Sequence, residues 1–81
     1  MTVQAQKSQN QRKLLDACQR AGLPRSSYNL NSEGTILHVL DGTTVRPFGC
    51  SNRSLLWQIE RSVREILEIG ANRLLRTKGA A

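Results

Sequence analysis

Apolar residues recur at helical spacing in two places along this chain, and between them the pattern shifts to a shorter period. Leu14, Leu15, Cys18 and Ala21 make the first stripe, with Gln11, Arg12, Lys13, Asp16, Gln19 and Arg20 filling the other positions. This predicts a helix from Ser8 as N-cap to about Arg20. Gly22 and Pro24 then stop it, because Gly accepts the left-handed C′ conformation and Pro cannot continue a helix. Leu23, between them, is expected to fold back onto the core. The second stripe is longer: Leu55, Ile59, Val63, Ile66, Leu67 and Leu74 fall on one face at about 100° per residue. It predicts a long helix capped by Ser51 or Asn52. The helix runs to about Ile69, or on to Leu75 if Gly70 and Asn72 do not break it.

The segment between the helices reads as strands. Residues 26–30 form a candidate short strand, and Asn31, Ser32, Glu33 and Gly34 supply turn chemistry. Residues 35–40 are rich in apolar and β-branched side chains. Asp41-Gly42 is a two-residue hairpin signal, since both positions tolerate positive φ. Residues 43–48 follow as a strand whose Pro47 places it at an edge or near its end. The expected fold class is α+β: helix, a two- or three-stranded antiparallel meander, and a long C-terminal helix. Both helices pack on one sheet face, because each has a single apolar stripe to cover. Residues 8–76 make the one domain, with disordered tails at 1–7 and 77–81.

Composition adds a sign to this outline. The 81 residues carry twelve Lys and Arg against six Asp and Glu, a net charge of +6. Nine of the twelve cations are Arg, which suits bidentate phosphate or carboxylate contacts. A balance of this size favours polyanionic partners, namely DNA, RNA or an acidic protein surface. It also keeps a small protein soluble. Cys18 and Cys50 stand in no CxxC or Cys/His cluster and read as reduced, buried thiols, with a disulfide as the alternative. Residues 1–11 lack an apolar core of the signal-peptide kind, and no apolar run reaches the ~20 residues that span a bilayer. A cytoplasmic location without membrane contact is expected.

Candidate chemistry concentrates on the second helix. Arg53, Trp57, Arg61 and Arg64 are spaced by four, four and three, which puts them on one face opposite the apolar stripe. One reading is a binding platform, with Arg for phosphate or carboxylate and Trp for stacking or as a protein hot spot. The other has Trp57 packed against the first helix or the chain end, with the Arg residues paired to Glu60, Glu65 and Glu68. Arg73, Arg76 and Lys78 make the C-terminus basic, as a phosphate-tracking tail or as cations that complement the helix dipole. Arg12, Lys13, Arg20 and Arg25 form a further basic patch that reads as a solvated face. His38, the only histidine, alternates with Leu37 and Val39 and should point to the open sheet face. No second histidine, nucleophile elbow, P-loop or paired-carboxylate motif accompanies it. No catalytic residue, metal, cofactor or small-molecule substrate is expected.

Over residues 12–69 the outline resembles the HicA toxin family, whose domain is similar to a double-stranded-RNA-binding domain. The features that carry the resemblance are Ala21-Gly22-Leu23 ending the first helix, the Asp41-Gly42 turn in a short meander, and a closing helix with Arg on its outer face. Family members carry a histidine just after a glycine in the early strands. Here Gly34 is followed by Thr35 and Ile36, and His38 comes later. The resemblance therefore implies the fold and an RNA or antitoxin-like partner more than RNA cleavage.

Three functional readings follow. The first is a small basic nucleic-acid-binding regulator that recognises backbone or duplex shape. With only Tyr28, Phe48 and Trp57 as aromatic residues, an extended base-stacking surface is not expected. The second is a protein-binding regulator or inhibitor of phage or plasmid type. It would dock on an acidic partner, or form a homodimer through the long helix, with a strand edge available for pairing. The third is a HicA-like RNA-cleaving toxin that depends on His38.

Overall fold

The computed structural model describes residues 9–79; the stretches 1–8 and 80–81, which hold the expected N-cap Ser8 and most of the two expected tails, lie outside the described residues. The order is α1 (Gln9–Arg20), a 3-10 turn (Arg25–Ser27), β1 (Tyr28–Leu30), β2 (Ile36–Asp41), β3 (Thr44–Gly49) and α2 (Leu56–Gly79). The fold is α+β, with a three-stranded antiparallel sheet in the order β1-β2-β3. Of the stretch expected as the first strand, only Tyr28–Leu30 is extended.

Each boundary has a local cause. After α1 the Leu23 N–H donates to the Cys18 carbonyl at 3.1 Å, and the Gly22 N–H donates to the Gln19 carbonyl at 3.0 Å. Gly22 has φ +74, so the pair forms a Schellman stop that returns Leu23 to the core. In the β1–β2 turn the Asn31 Oδ1 accepts from the Thr35 and Ile36 N–H groups at 2.8 and 3.1 Å. In the β2–β3 turn Asp41 pairs with Thr44, so the loop is Gly42 and Thr43, one residue later than expected. Only Gly42 has positive φ there, as a turn with Gly at its first central position requires.

Alternation along the strands separates two faces. Tyr28, Leu30, Leu37, Val39 and Phe48 point inward and join Leu14, Ala17 and Cys18 of α1 and Ile59, Ile66 and Ile69 of α2 in one core. Both helices thus lie on the same sheet face, and the other face is open. The hydrogen bonds from the Asn31 N–H to the Ile36 carbonyl and from the Cys50 N–H to the Thr35 carbonyl fix the phase of the ladder. Residues 37, 39 and 41 bond toward β3, and residues 36, 38 and 40 toward β1. Pro47 pairs with His38, so its nitrogen lies on the free side of β3, and the sheet loses no bond to the proline. The strand edge expected to be available is therefore short of a donor at its middle.

The long helix differs from expectation at Gly70. The helix runs unbroken through Gly70 and Asn72 to Gly79, three residues into the expected tail. Gly70 is buried where α2 crosses the end of α1. A Cβ there would overlap the Ala21 carbonyl oxygen and lie 2.6 Å from the Ala21 Cβ. The glycine thus permits close helix packing and does not end the helix. Two members of the expected stripe, Leu55 and Leu74, are exposed: Leu55 precedes the helix, and Leu74 lies beyond the last turn that the sheet and α1 cover.

Cys18 and Cys50 are both free and fully buried. Burial pushes the Cys18 thiol from its ordinary 9.0 up to about 11, because the thiolate cannot be solvated there. Cys50 shifts the same way for the same reason. The folded chain therefore keeps a proton that the unfolded chain releases above pH 9.0. This contribution to stability is complete below that pH and is lost as pH rises toward about 11. Urea midpoints measured at neutral pH and at increasingly alkaline pH should fall across this window, and less steeply for Cys18→Ala.

Candidate nucleic-acid interface

The start of α2 is set by a turn and a side-chain cap. The Ser54 N–H donates to the Ser51 carbonyl at 3.1 Å, and the Arg53 N–H to Ser51 Oγ at 3.3 Å. Ser51 is thereby used within the turn. The first helical bonds instead accept at the Leu55 carbonyl, while the Leu55 N–H donates to Gln58 Oε1 at 2.8 Å. This is the glutamine half of a capping box, with Leu55 in the cap position. The expected caps Ser51 and Asn52 lie in the preceding turn. So does Arg53, which is consequently not on the helical face it was expected to share.

Trp57, Arg61 and Arg64 do share the solvent side of α2, opposite the buried Ile59 and Ile66. Trp57 is 56% exposed, and Leu55 and Leu56 beside it are as open. The indole does not pack into the core. It lines a groove of about 360 Å³ between the end of β3 and the first turns of α2, together with Pro47, Gly49, Gln58, Arg61 and Glu65. Arg64 borders the cleft between the two helices, where Lys13, Asp16, Arg20 and Glu60 also lie.

An ion-pair chain ties this face to the hairpin. Arg61 Nε lies 3.1 Å from Glu65 Oε2, and Arg46 Nη2 lies 2.7 Å from Glu65 Oε1. Arg46 Nη1 lies 3.6 Å from Asp41 Oδ2, and Arg76 Nη2 lies 3.4 Å from Asp41 Oδ1. Three guanidinium groups thus alternate with two carboxylates from β2, β3 and α2. The Arg46 guanidinium also stands over the Phe48 ring, 5.4 Å from its centroid. All five side chains are partly open to water, so each pair contributes no more than ~1 kcal/mol. Arg46 was not among the expected site residues. The signal was available: a cation at an inward position of β3, two residues before Phe48, requires a carboxylate facing it.

The six candidate residues therefore fall in three places. Arg53, Trp57, Arg61 and Arg64 cluster around the first half of α2. Arg76 turns to the hairpin tip and pairs with Asp41. Arg73 lines the groove at the end of α1 with Arg20, Ala21, Leu67 and Leu74. His38 is exposed on the outer sheet face, between Asn29 of β1 and Pro47 of β3, whereas α2 packs on the inner face. Among the described residues no group of His, Cys, Asp and Glu could hold a metal ion, and no helix is long and apolar enough to cross a membrane. No protein-family model, curated protein or solved structure matches this chain.

Proposed function

We propose that the protein binds the phosphate backbone of a nucleic acid through Arg53, Trp57, Arg61 and Arg64, as a regulator without catalytic activity. The observation that carries this reading is the exposed Trp57, on the same solvent side of α2 as Arg61 and Arg64. A Trp seldom leaves so much surface in water without a partner. The cations beside it select a polyanion, and the ring supplies a stacking plane for a base or a sugar edge. Arg53 and Arg64 form no ion pair among the described residues and are the readiest phosphate ligands. Arg61 shares Glu65 with Arg46, so it can exchange that exposed contact for a phosphate while Arg46 keeps the carboxylate neutralised. His38 points out of the sheet face opposite the one α2 covers, which favours binding over cleavage.

Fluorescence anisotropy with labelled duplex RNA, duplex DNA and single strands is the test. Three or four phosphate contacts give log K a slope of roughly −3 to −4 against log salt on a DNA duplex. Arg53→Ala/Arg64→Ala should flatten that slope by about two. Absence of binding at low salt would remove this reading. A second reading, a protein partner with an acidic rim, is favoured by one observation: Leu55, Leu56 and Trp57 are three consecutive exposed apolar residues. It would show as a stoichiometric complex insensitive to nuclease.

A further inference from the structure

The groove beside Trp57 holds polar groups that contact with a phosphate backbone leaves unused. Its volume of about 360 Å³ is at the small end of the ~300–1,000 Å³ typical of ligand clefts. Trp57 and Phe48 give it aromatic surface, and Ser54, Gln58, Ser62 and Glu65 give it hydrogen-bonding groups. Gln58 is held in one orientation, because its Oε1 accepts from the Leu55 N–H at 2.8 Å. Its amide N–H donors have no partner among the described residues, and neither have the hydroxyls of Ser54 and Ser62. Glu65 is committed through Oε1 to Arg46 and through Oε2 to Arg61. An ionised carboxylate only accepts hydrogen bonds, so it cannot bond a phosphate oxygen. An apolar side chain from a protein partner would leave the amide and the hydroxyls without partners.

We infer that this groove takes one unpaired nucleobase, stacked on Trp57, so that a strand with an extruded or single-stranded nucleotide is the preferred ligand and a continuous duplex the poorer one. The inference rests on the phosphate-binding reading above and names what that site selects. A base has apolar faces for the indole and an edge of donors and acceptors for the amide, the hydroxyls and the carboxylate. Inside a continuous duplex those faces are covered by neighbouring bases, so only an unpaired base can use the ring. A single exposed ring serves a single base, in keeping with the size of the groove. When Arg61 leaves Glu65 for a phosphate, Oε2 loses its donor and accepts from an N–H of the base, while Arg46 stays on Oε1. Arg61 and Arg64 follow Trp57 on the same side of α2, about 6 and about 10 Å further along the axis. The sugar-phosphate chain can therefore follow these cations while its base turns into the groove.

Trp57 is the only tryptophan, so its emission reports on the groove directly. The probes are duplexes of one sequence, prepared both as DNA and as RNA: fully paired, with a one-nucleotide bulge, and with that bulge made abasic. Anisotropy at low salt gives their affinities. In at least one of the two backbones the bulged duplex should bind about tenfold more tightly than the paired one, and the abasic form should lose the gain. Only the bulge that carries a base should quench the Trp57 emission. Gln58→Glu keeps the acceptor that caps Leu55 but removes the amide donors. Gly49→Val adds bulk beside Ser54, where a Cβ meets nothing closer than the Ser54 Oγ at 3.9 Å, and Gly49 has no positive φ to strain it. Circular dichroism checks both folds. Each variant should bring the bulged and abasic forms to within about twofold of each other. Equal affinity for all three forms with unchanged emission overturns the inference and leaves the phosphate-binding reading standing, whereas no binding at low salt removes both.

Discussion

Gly70→Ala is expected to destabilise the fold by about 2 kcal/mol or more, as overpacking at a tight contact does. The sign distinguishes two roles for this glycine. In a helix exposed at this point, replacing Gly by Ala stabilises by ~1 kcal/mol, because Ala has the higher helix propensity. Here the added methyl overlaps the backbone carbonyl of Ala21, and backbone cannot swing aside as a long side chain can. Relief requires α2 to move away from α1, which opens contacts made by Leu14, Ala17 and Ile66 in the shared core. Equilibrium urea unfolding of the two chains reads the sign directly. A stabilised variant would mean that the helices do not cross closely at this residue.

The second large effect contrasts two neighbours on α2. Ile59→Ala removes a side chain with no exposed surface and should cost about 2–5 kcal/mol. A single core in a chain this short supplies only ~3–5 kcal/mol, so the variant should be largely unfolded near physiological temperature. Trp57→Ala removes more atoms but from a residue that is 56% exposed. It should shift stability by less than ~1 kcal/mol while weakening ligand binding by about tenfold. Thermal unfolding followed by circular dichroism, paired with the anisotropy titration, separates the two. A Trp57→Ala chain that unfolds like Ile59→Ala would make the indole a core residue.

The architecture was legible in the sequence wherever a local rule settled it. The stop at Gly22, the inward turn of Leu23, the Gly42 hairpin and the alternation that leaves His38 outside all follow from one residue and its nearest neighbours. The departures share a different cause. Gly70 looks like a helix breaker in one dimension, and only the crossing of α1 shows why it is needed. Leu55 and Leu74 match the helical period, yet the period does not tell where the covering elements stop. The four-four-three spacing of Arg53, Trp57, Arg61 and Arg64 assumed a helix that already existed at Arg53, whereas the cap at Leu55 starts it later. The pairing of Arg61 with Glu65 follows from their i,i+4 spacing on α2, as the alternative reading of the arginines had it, whereas the pairing of Arg76 could not be read from α2 alone, since Asp41 comes from the hairpin. Arg46 itself was readable, because alternation with Phe48 places a guanidinium on the inner face.

The missing amide hydrogen of Pro47 bears on how the chain behaves when crowded. An incoming extended segment laid along β3 would find donors at Val45 and Gly49 but none between them. A ladder interrupted at its centre leaves the visiting strand with an unmet carbonyl, so the visitor dissociates before a next one can add. Hairpins of this chain should therefore be poor seeds for cross-β ribbons, even in partly opened states that arise during synthesis or heating. The Pro47 nitrogen faces away from β2 in the ladder, so this interruption of the β3 edge takes nothing from the folded sheet.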